Sequence, residues 1–250
     1  MFENIDLMVV AMATIGFFLG GLLKGVVGMG LPLVAIPIVA IAMPVAQAIP
    51  LMLAPGYVMN LIQVRQTWHA RTSLLPWWPA LLGIAIGIVV GVQIATSAPE
   101  DLVRGVLGGL VIVFVLMGFA HIELPPRFAN NRAVGFGMGG LTGLSGGLTG
   151  GFGATLAMYL LACRLEKDRF VWLIGVMMFL GVIVLTASLV AAGSFKADQL
   201  AATLAVLAPS WLGLTVGGHV RKKVSQRVFR NTAMIALLIM GVSLVVSAVR

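Results

Sequence analysis

Gly139-Gly140-Leu141-Thr142-Gly143-Leu144-Ser145-Gly146-Gly147-Leu148-Thr149-Gly150-Gly151-Phe152-Gly153 sets eight glycines among fifteen residues, in the middle of a charge-free run from Ala133 to Cys163. Glycine inside a helix costs about 1 kcal/mol relative to alanine, so a cluster this dense reads as a break between helices. The run holds 31 residues. A bilayer crossing takes about 20, so the run is too long for one span and too short for two complete spans with a turn. It predicts two short helices joined inside a membrane.

The rest of the chain fits that setting. It is 60% apolar and only 10% charged, whereas about a quarter of a soluble domain is charged. Other charge-free runs cover 7–23, 25–64, 72–99, 105–122, 170–195, 199–220 and 231–249, and the run 25–64, with 40 residues, has room for two crossings. The net charge of +8 comes from residues in short loops and forms no separate stripe, which excludes nucleic-acid binding. Cys163, the one cysteine, excludes a disulfide framework and a thiolate metal site. Glu3 and Asp6 stand where a signal peptide needs positive charge, and no processing site follows, so no cleaved leader is expected.

Sidedness follows from the loops. With the amino terminus outside and two hairpins, 7–43 and 133–163, that enter and return, the inside loops 65–71, 121–132, 164–169 and 219–230 carry twelve of the sixteen Lys and Arg. Outside segments keep Arg104, Lys196 and Arg250 and collect Glu3, Asp6, Glu100, Asp101 and Asp198. That is the positive-inside bias. A single crossing by 133–163 would instead put Arg221, Lys222, Lys223, Arg227 and Arg230 outside.

Internal spacing points to an inverted repeat. Gly87, Gly91 and Arg104 are separated by 4 and 13 residues, as are Gly213, Gly217 and Arg230. The expected fold is therefore an all-α polytopic membrane protein of two inverted repeats, each a glycine-rich broken-helix hairpin plus three transmembrane helices. The first repeat covers 1–120, with hairpin 7–43 and helices at about 45–64, 74–97 and 103–120. A linker, 121–132, precedes the second repeat, 133–250, with hairpin 133–163 and helices at about 170–193, 199–218 and 231–249. Inverted repeats with broken helices at the midplane are characteristic of secondary transporters.

The segment Gly20-Gly21-Leu22-Leu23-Lys24-Gly25-Val26-Val27-Gly28-Met29-Gly30-Leu31-Pro32, its echo over 139–153, and Tyr159-Leu160 before a short charged loop resemble the TauE/SafE sulfite exporter family of bacterial membrane permeases. Leu31-Pro32 interrupts the first glycine triplet, and Ala157-Met158 stands where the second half would carry a proline, which points to a subgroup. The resemblance implies movement of small organosulfur or carboxylate anions, such as sulfite, sulfoacetate or related sulfonates, across the inner membrane, in the direction of export. It also implies a multi-pass protein of the bacterial cell inner membrane; the sidedness of the loops puts both termini in the periplasm, and a homodimer stays open.

Lys24 is the one charged residue within the apolar part of the chain. An ammonium at membrane depth costs at least ~2.5 kcal/mol, so such residues usually line a polar pathway and would suit an anion. The alternative is a lysine that merely snorkels to the inner surface. Glycines at 25, 28, 30, 146, 147, 150, 151 and 153 either bare backbone N–H groups for an oxyanion at helix starts or allow close helix packing, and both can hold. Ser145 is read as the counterpart of Lys24. The candidate binding set is Lys24, Gly25, Gly28, Gly30, Tyr57, Asn60, Ser145, Gly146, Thr149, Gly150, Gly151 and Tyr159.

Pro32 and Pro37 are expected to break the returning helix of the first hairpin, and Pro55-Gly56 to kink the next. Trp68, Trp77, Trp78 and Trp172 read as interfacial anchors, while Trp211 would wall a pathway or fill the core. No Asp or Glu falls inside a span, and no metal spacing, phosphate loop or nucleophile elbow is present. The expectation is thus a non-enzyme without cofactor or metal, whose partners are a small anion and the bilayer. An anion channel and a noncatalytic subunit of a membrane complex are the alternatives.

Overall fold

The computed structural model of the chain describes residues 7–27, 30–120, 131–195 and 199–223, with scattered positions between 235 and 249. Eleven helices are placed: α1 Leu7–Val27, α2 Leu31–Val39, α3 Val45–Ala48, α4 Leu53–Gln66, α5 Trp78–Ser97, α6 Glu100–Ala120, α7 Arg132–Thr149, α8 Gly153–Ala162, α9 Lys167–Ala191, α10 Leu200–Ala205 and α11 Leu207–Lys223. No strand occurs among the described residues. Leu7–Val26, Val45–Gln66, Leu75–Ser97, Asp168–Ala191 and Leu200–Val220 are long and apolar enough to cross a bilayer. Their outer faces agree: Ile86 and Val90 of α5 and Leu212 and Val216 of α11 are exposed, an arrangement that lipid satisfies and water does not. Ile88, Leu173, Met177 and Leu185 fill the interior.

Two parallel helix pairs form the frame, and glycine is what lets them form. A side chain on Gly83, Gly87 or Gly91 of α5 would overlap the backbone of α7, and one on Gly139, Gly143 or Gly147 of α7 would overlap α5. Gly21 and Gly25 of α1 meet Gly213 and Gly217 of α11 in the same way. The two registers correspond atom for atom. Gly25 lies against the Leu214 carbonyl, Gly217 Cα and Gly218 nitrogen, and Gly147 against the Ile88 carbonyl, Gly91 Cα and Val92 nitrogen. Such contact brings backbones close enough for dispersion to operate where lipid removes the hydrophobic drive between helices.

Each frame helix that opens a hairpin is interrupted. α1 ends at Val27 and α2 starts at Leu31 after Gly30, whose φ of 99° suits glycine; α7 stops at Gly150, with φ 70°, and α8 starts at Gly153. Pro32 does not break α2 but begins it, sitting in the first turn where no backbone donor is missed. Pro37 is also tolerated within α2: the helix stops two residues later, and its buried Ala35 and Ile38 are locked against Gly16 of α1. Pro55 falls in the first turn of α4, so the irregular segment comes before it, as a 3-10 turn over Ile49–Met52. Where the hairpin leaves toward α3, Glu100 Oε1 accepts from the Val45 N–H at 3.1 Å and from Arg104 Nε at 2.9 Å.

The glycine frame makes a differential test possible. Gly143→Ala would press a methyl into the Ile84 carbonyl and should destabilise by ~1–3 kcal/mol, whereas Gly140→Ala meets nothing within 4 Å and should be neutral or stabilising. Thermal unfolding in detergent measures both; equal losses would remove the close-packing account.

Candidate functional site

Five structural units converge on one narrow cleft. α1 contributes Lys24, and the first turn of α2 contributes Leu31 and Pro32. Met52, Pro55, Gly56, Met59 and Asn60 come from the 3-10 turn and α4, while Gly150 and Phe152 come from the break between α7 and α8. Met178, Val182 and Leu185 of α9 close the remaining side. The cavity is about 30 Å³, room for one or two waters. Lys24 Nζ donates to Asn60 Oδ1 at 3.4 Å, a long contact with a neutral acceptor, and no carboxylate is among the described residues that line the cleft. Asn60 is only 2% exposed, and with Oδ1 occupied by Lys24 it keeps a donor-bearing amide nitrogen.

The position of Asn60 depends on how α4 begins. Pro55 has no N–H, so the Leu51 carbonyl one turn earlier lacks a helical donor. The hydroxyl of Thr203, 2% exposed on α10, donates to that carbonyl at 3.2 Å and accepts from the Ala54 N–H at 3.1 Å. Thr203 thus repairs the defect from another helix. Nothing in the local sequence around Thr203 signals this. Along α4, Tyr57 braces the helix against α9: its hydroxyl shares a hydrogen bond with Thr186 Oγ1 at 2.8 Å, and its ring meets Phe179 edge-on at 5.6 Å. Gln63 Nε2 adds a bond to the Val171 carbonyl at 2.9 Å.

Of the twelve candidate binding residues, Lys24, Asn60 and Gly150 line the cleft together. Gly151 lies beside it, against Pro32. The other polar members are engaged in holding the hairpin or the bundle. Ser145 Oγ donates to the carbonyls of Thr142, at 2.9 Å, and Gly151, at 3.3 Å. Thr149 Oγ1 donates to the Ser145 carbonyl at 2.8 Å and accepts from the Gly151 N–H at 3.2 Å. The Gly150 N–H bonds the Gly146 carbonyl at 2.7 Å. The turn donors of Gly150 and Gly151 are therefore already satisfied within the hairpin, contrary to the expectation that they stand bare. Gly25 serves the α1–α11 contact, Gly146 makes room for the Phe152 ring, and Gly30 supplies the turn before α2. Tyr57 is a brace to α9, and Tyr159 is buried away from the cleft, edge-on to Trp77 at 6.0 Å. Gly28 lies outside the described residues.

Sequence reasoning missed the apolar lining. Met52, Met59, Met178 and Phe152 look like ordinary core residues, and only the spacing of Met178, Val182 and Leu185 on one face of α9 hinted that they act together. The tryptophans divide differently from the expectation. Trp68 and Trp78 are exposed, but Trp172 is only 5% exposed, with an indole N–H that has no partner, so it is an interior residue. Trp211 is 46% exposed beside Leu207 and Leu212, so it does not fill the core. Exposed His69 contacts Asp168 Oδ2 at 2.9 Å across the loops, and His219 bonds the Thr215 carbonyl at 2.8 Å; His121 lies outside the described residues.

Apolar outer faces, broken helices packed inside the bundle and a buried cationic cleft define an all-helical, multi-pass membrane protein. The chain belongs to the TauE/SafE sulfite exporter family, whose family model matches residues 12–244, nearly its whole length. No curated protein and no solved structure matches it. The family is one of membrane transporters, not enzymes, which makes a small anion the substrate class and the bilayer the setting.

The Thr203 clamp carries a test. Thr203→Val keeps the shape but strands the Leu51 carbonyl and the Ala54 N–H, and should lower stability by ~1–3 kcal/mol, while Thr203→Ser should retain most of it. Thermal unfolding in detergent reports both; a valine variant as stable as wild type would contradict the clamp.

Proposed function

We propose that the protein is a secondary transporter that exports small organosulfur or related anions, among them sulfite, sulfoacetate and other sulfonates, across the bacterial inner membrane. The observation that carries this reading is Lys24: an ammonium within α1, facing a narrow, mainly apolar cleft, with a neutral amide and no carboxylate beside it among the described residues. An unpaired cation in that setting is costly, and an anion relieves the cost. The first turn of α2 and the residue before α8 also line the cleft, so the positive ends of two half-helix dipoles favour the same charge.

The cleft as it stands is smaller than any such anion. Binding therefore requires the α1–α11 pair and the α5–α7 pair to part around it, first on one side and then on the other. Two inverted repeats, 1–120 and 133–250 with the linker 121–132 between them, would supply that symmetry. Support comes from the two glycine registers, which superpose under a single exchange of α1 for α7 and α11 for α5, and from the parallel course of both pairs. Under the same exchange Lys24 corresponds to Gly146 rather than Ser145, so the lysine has no cationic counterpart in α7. Among the described residues every Asp and Glu stands at or just before a helix start: Glu100, Asp101, Glu166 and Asp168.

Flux of labelled sulfite or sulfoacetate into proteoliposomes tests the activity. Lys24→Gln should weaken substrate affinity about 10- to 150-fold, equivalent to ~1.5–3 kcal/mol for a charge-assisted contact, without loss of folded protein. Unchanged affinity would return Lys24 to a snorkelling role.

Single cysteines, introduced after Cys163 is removed, test the topology. Trp68→Cys and Val224→Cys should react only from the cytoplasmic face, and Glu100→Cys and Ala197→Cys only from the periplasmic face. Labelling of positions 100 and 224 from one side would rule out the inverted arrangement.

A further inference from the structure

The cleft carries more information than the sign of its ligand's charge. Besides Lys24 and Asn60, its lining side chains are hydrocarbon, thioether or aromatic, including Met52, Met59, Phe152, Met178, Val182 and Leu185. One cation can neutralise one negative charge. A second charge on the ligand would find no second cation among the described residues lining the cleft, and the Gly150 and Gly151 amides are already bonded within their own hairpin. A compact oxyanion would also leave the apolar walls without contact. Three methionines, unbranched and polarizable, can instead close around a body of variable shape.

We propose that this cleft selects a singly charged anion bearing a short apolar body, with its sulfonate or carboxylate group on Lys24 and the Asn60 amide and its carbon chain against the methionine wall. The inference rests on the anion-transport reading of the same cleft. It ranks short alkanesulfonates above sulfate and above disulfonates. Lys24 and Asn60 fix the head group, and the α4 and α9 side chains set the chain length that fits.

Calorimetric titration of the purified full-length protein in detergent, with methanesulfonate, ethanesulfonate, propanesulfonate, 1,2-ethanedisulfonate and sulfate, is the test. Affinity should rise about fourfold for each added methylene until the cleft is filled. Ethanedisulfonate and sulfate should bind at least tenfold more weakly than ethanesulfonate. Met178→Thr should flatten the chain-length series. A flat series in the wild type, or sulfate or ethanedisulfonate binding as tightly as ethanesulfonate, would overturn the selectivity while leaving an anion site in place if Lys24→Gln still abolishes binding. Failure of every anion to bind, or binding indifferent to Lys24→Gln, would overturn the anion site itself and this inference with it. Should Lys24→Gln not fold, the wild-type series alone decides the selectivity.

Discussion

Backbone polar groups in a bilayer must find partners inside the protein, and this requirement governs how the chain can interrupt its helices at all. α1 and α7 both stop within the bundle and hand over to short returning helices. Each interrupted helix is pressed along its length against a parallel neighbour, glycine to backbone, and at the second break Thr149 and Phe152 are buried, so that break is enclosed by protein rather than lipid. In the second hairpin the closure is visible bond by bond: Ser145 and Thr149 hydroxyls and the Gly150 and Gly151 amides satisfy one another across the turn.

The cleft follows from the same constraint. Enclosing helix starts inside a bundle concentrates partial positive charge there, and Lys24 adds a full one. Its hydrogen-bond partner in the cleft, Asn60, is neutral, and no carboxylate is among the described residues lining it, an arrangement that suits a negative ligand. Thr203 and Tyr57 matter indirectly. One repairs the backbone at the start of α4 and the other braces that helix to α9, and between them they fix where Asn60 stands.

Part of this was legible in the sequence because it depends on local composition. The glycine run over 139–153 announced its break, and Lys24 announced itself by being alone in an apolar stretch. What depends on partners distant in the chain was not legible. Ser145 and Thr149 looked like ligand groups because their hydroxyls were in a glycine-rich turn, yet those hydroxyls close the turn. Pro37 looked like a helix breaker, but α2 runs through it because packing on α1 outweighs one lost bond. Trp172 looked like a belt residue from its place near a span end; only the fold shows that its face of α9 turns inward. The methionine lining carries no mark distinguishing it from core until α4 and α9 are set against each other.

The central claim, that an anion sits between Lys24 and Asn60 where two broken helices meet, is open to direct observation. A crystal structure of the protein with 2-bromoethanesulfonate, using the anomalous signal of bromine, locates both ends of one ligand. The account predicts the sulfonate within hydrogen-bond distance of Lys24 Nζ and the bromine peak against Met52, Met59 or Met178. A ligand bound elsewhere, with the Lys24–Asn60 contact undisturbed, would contradict it.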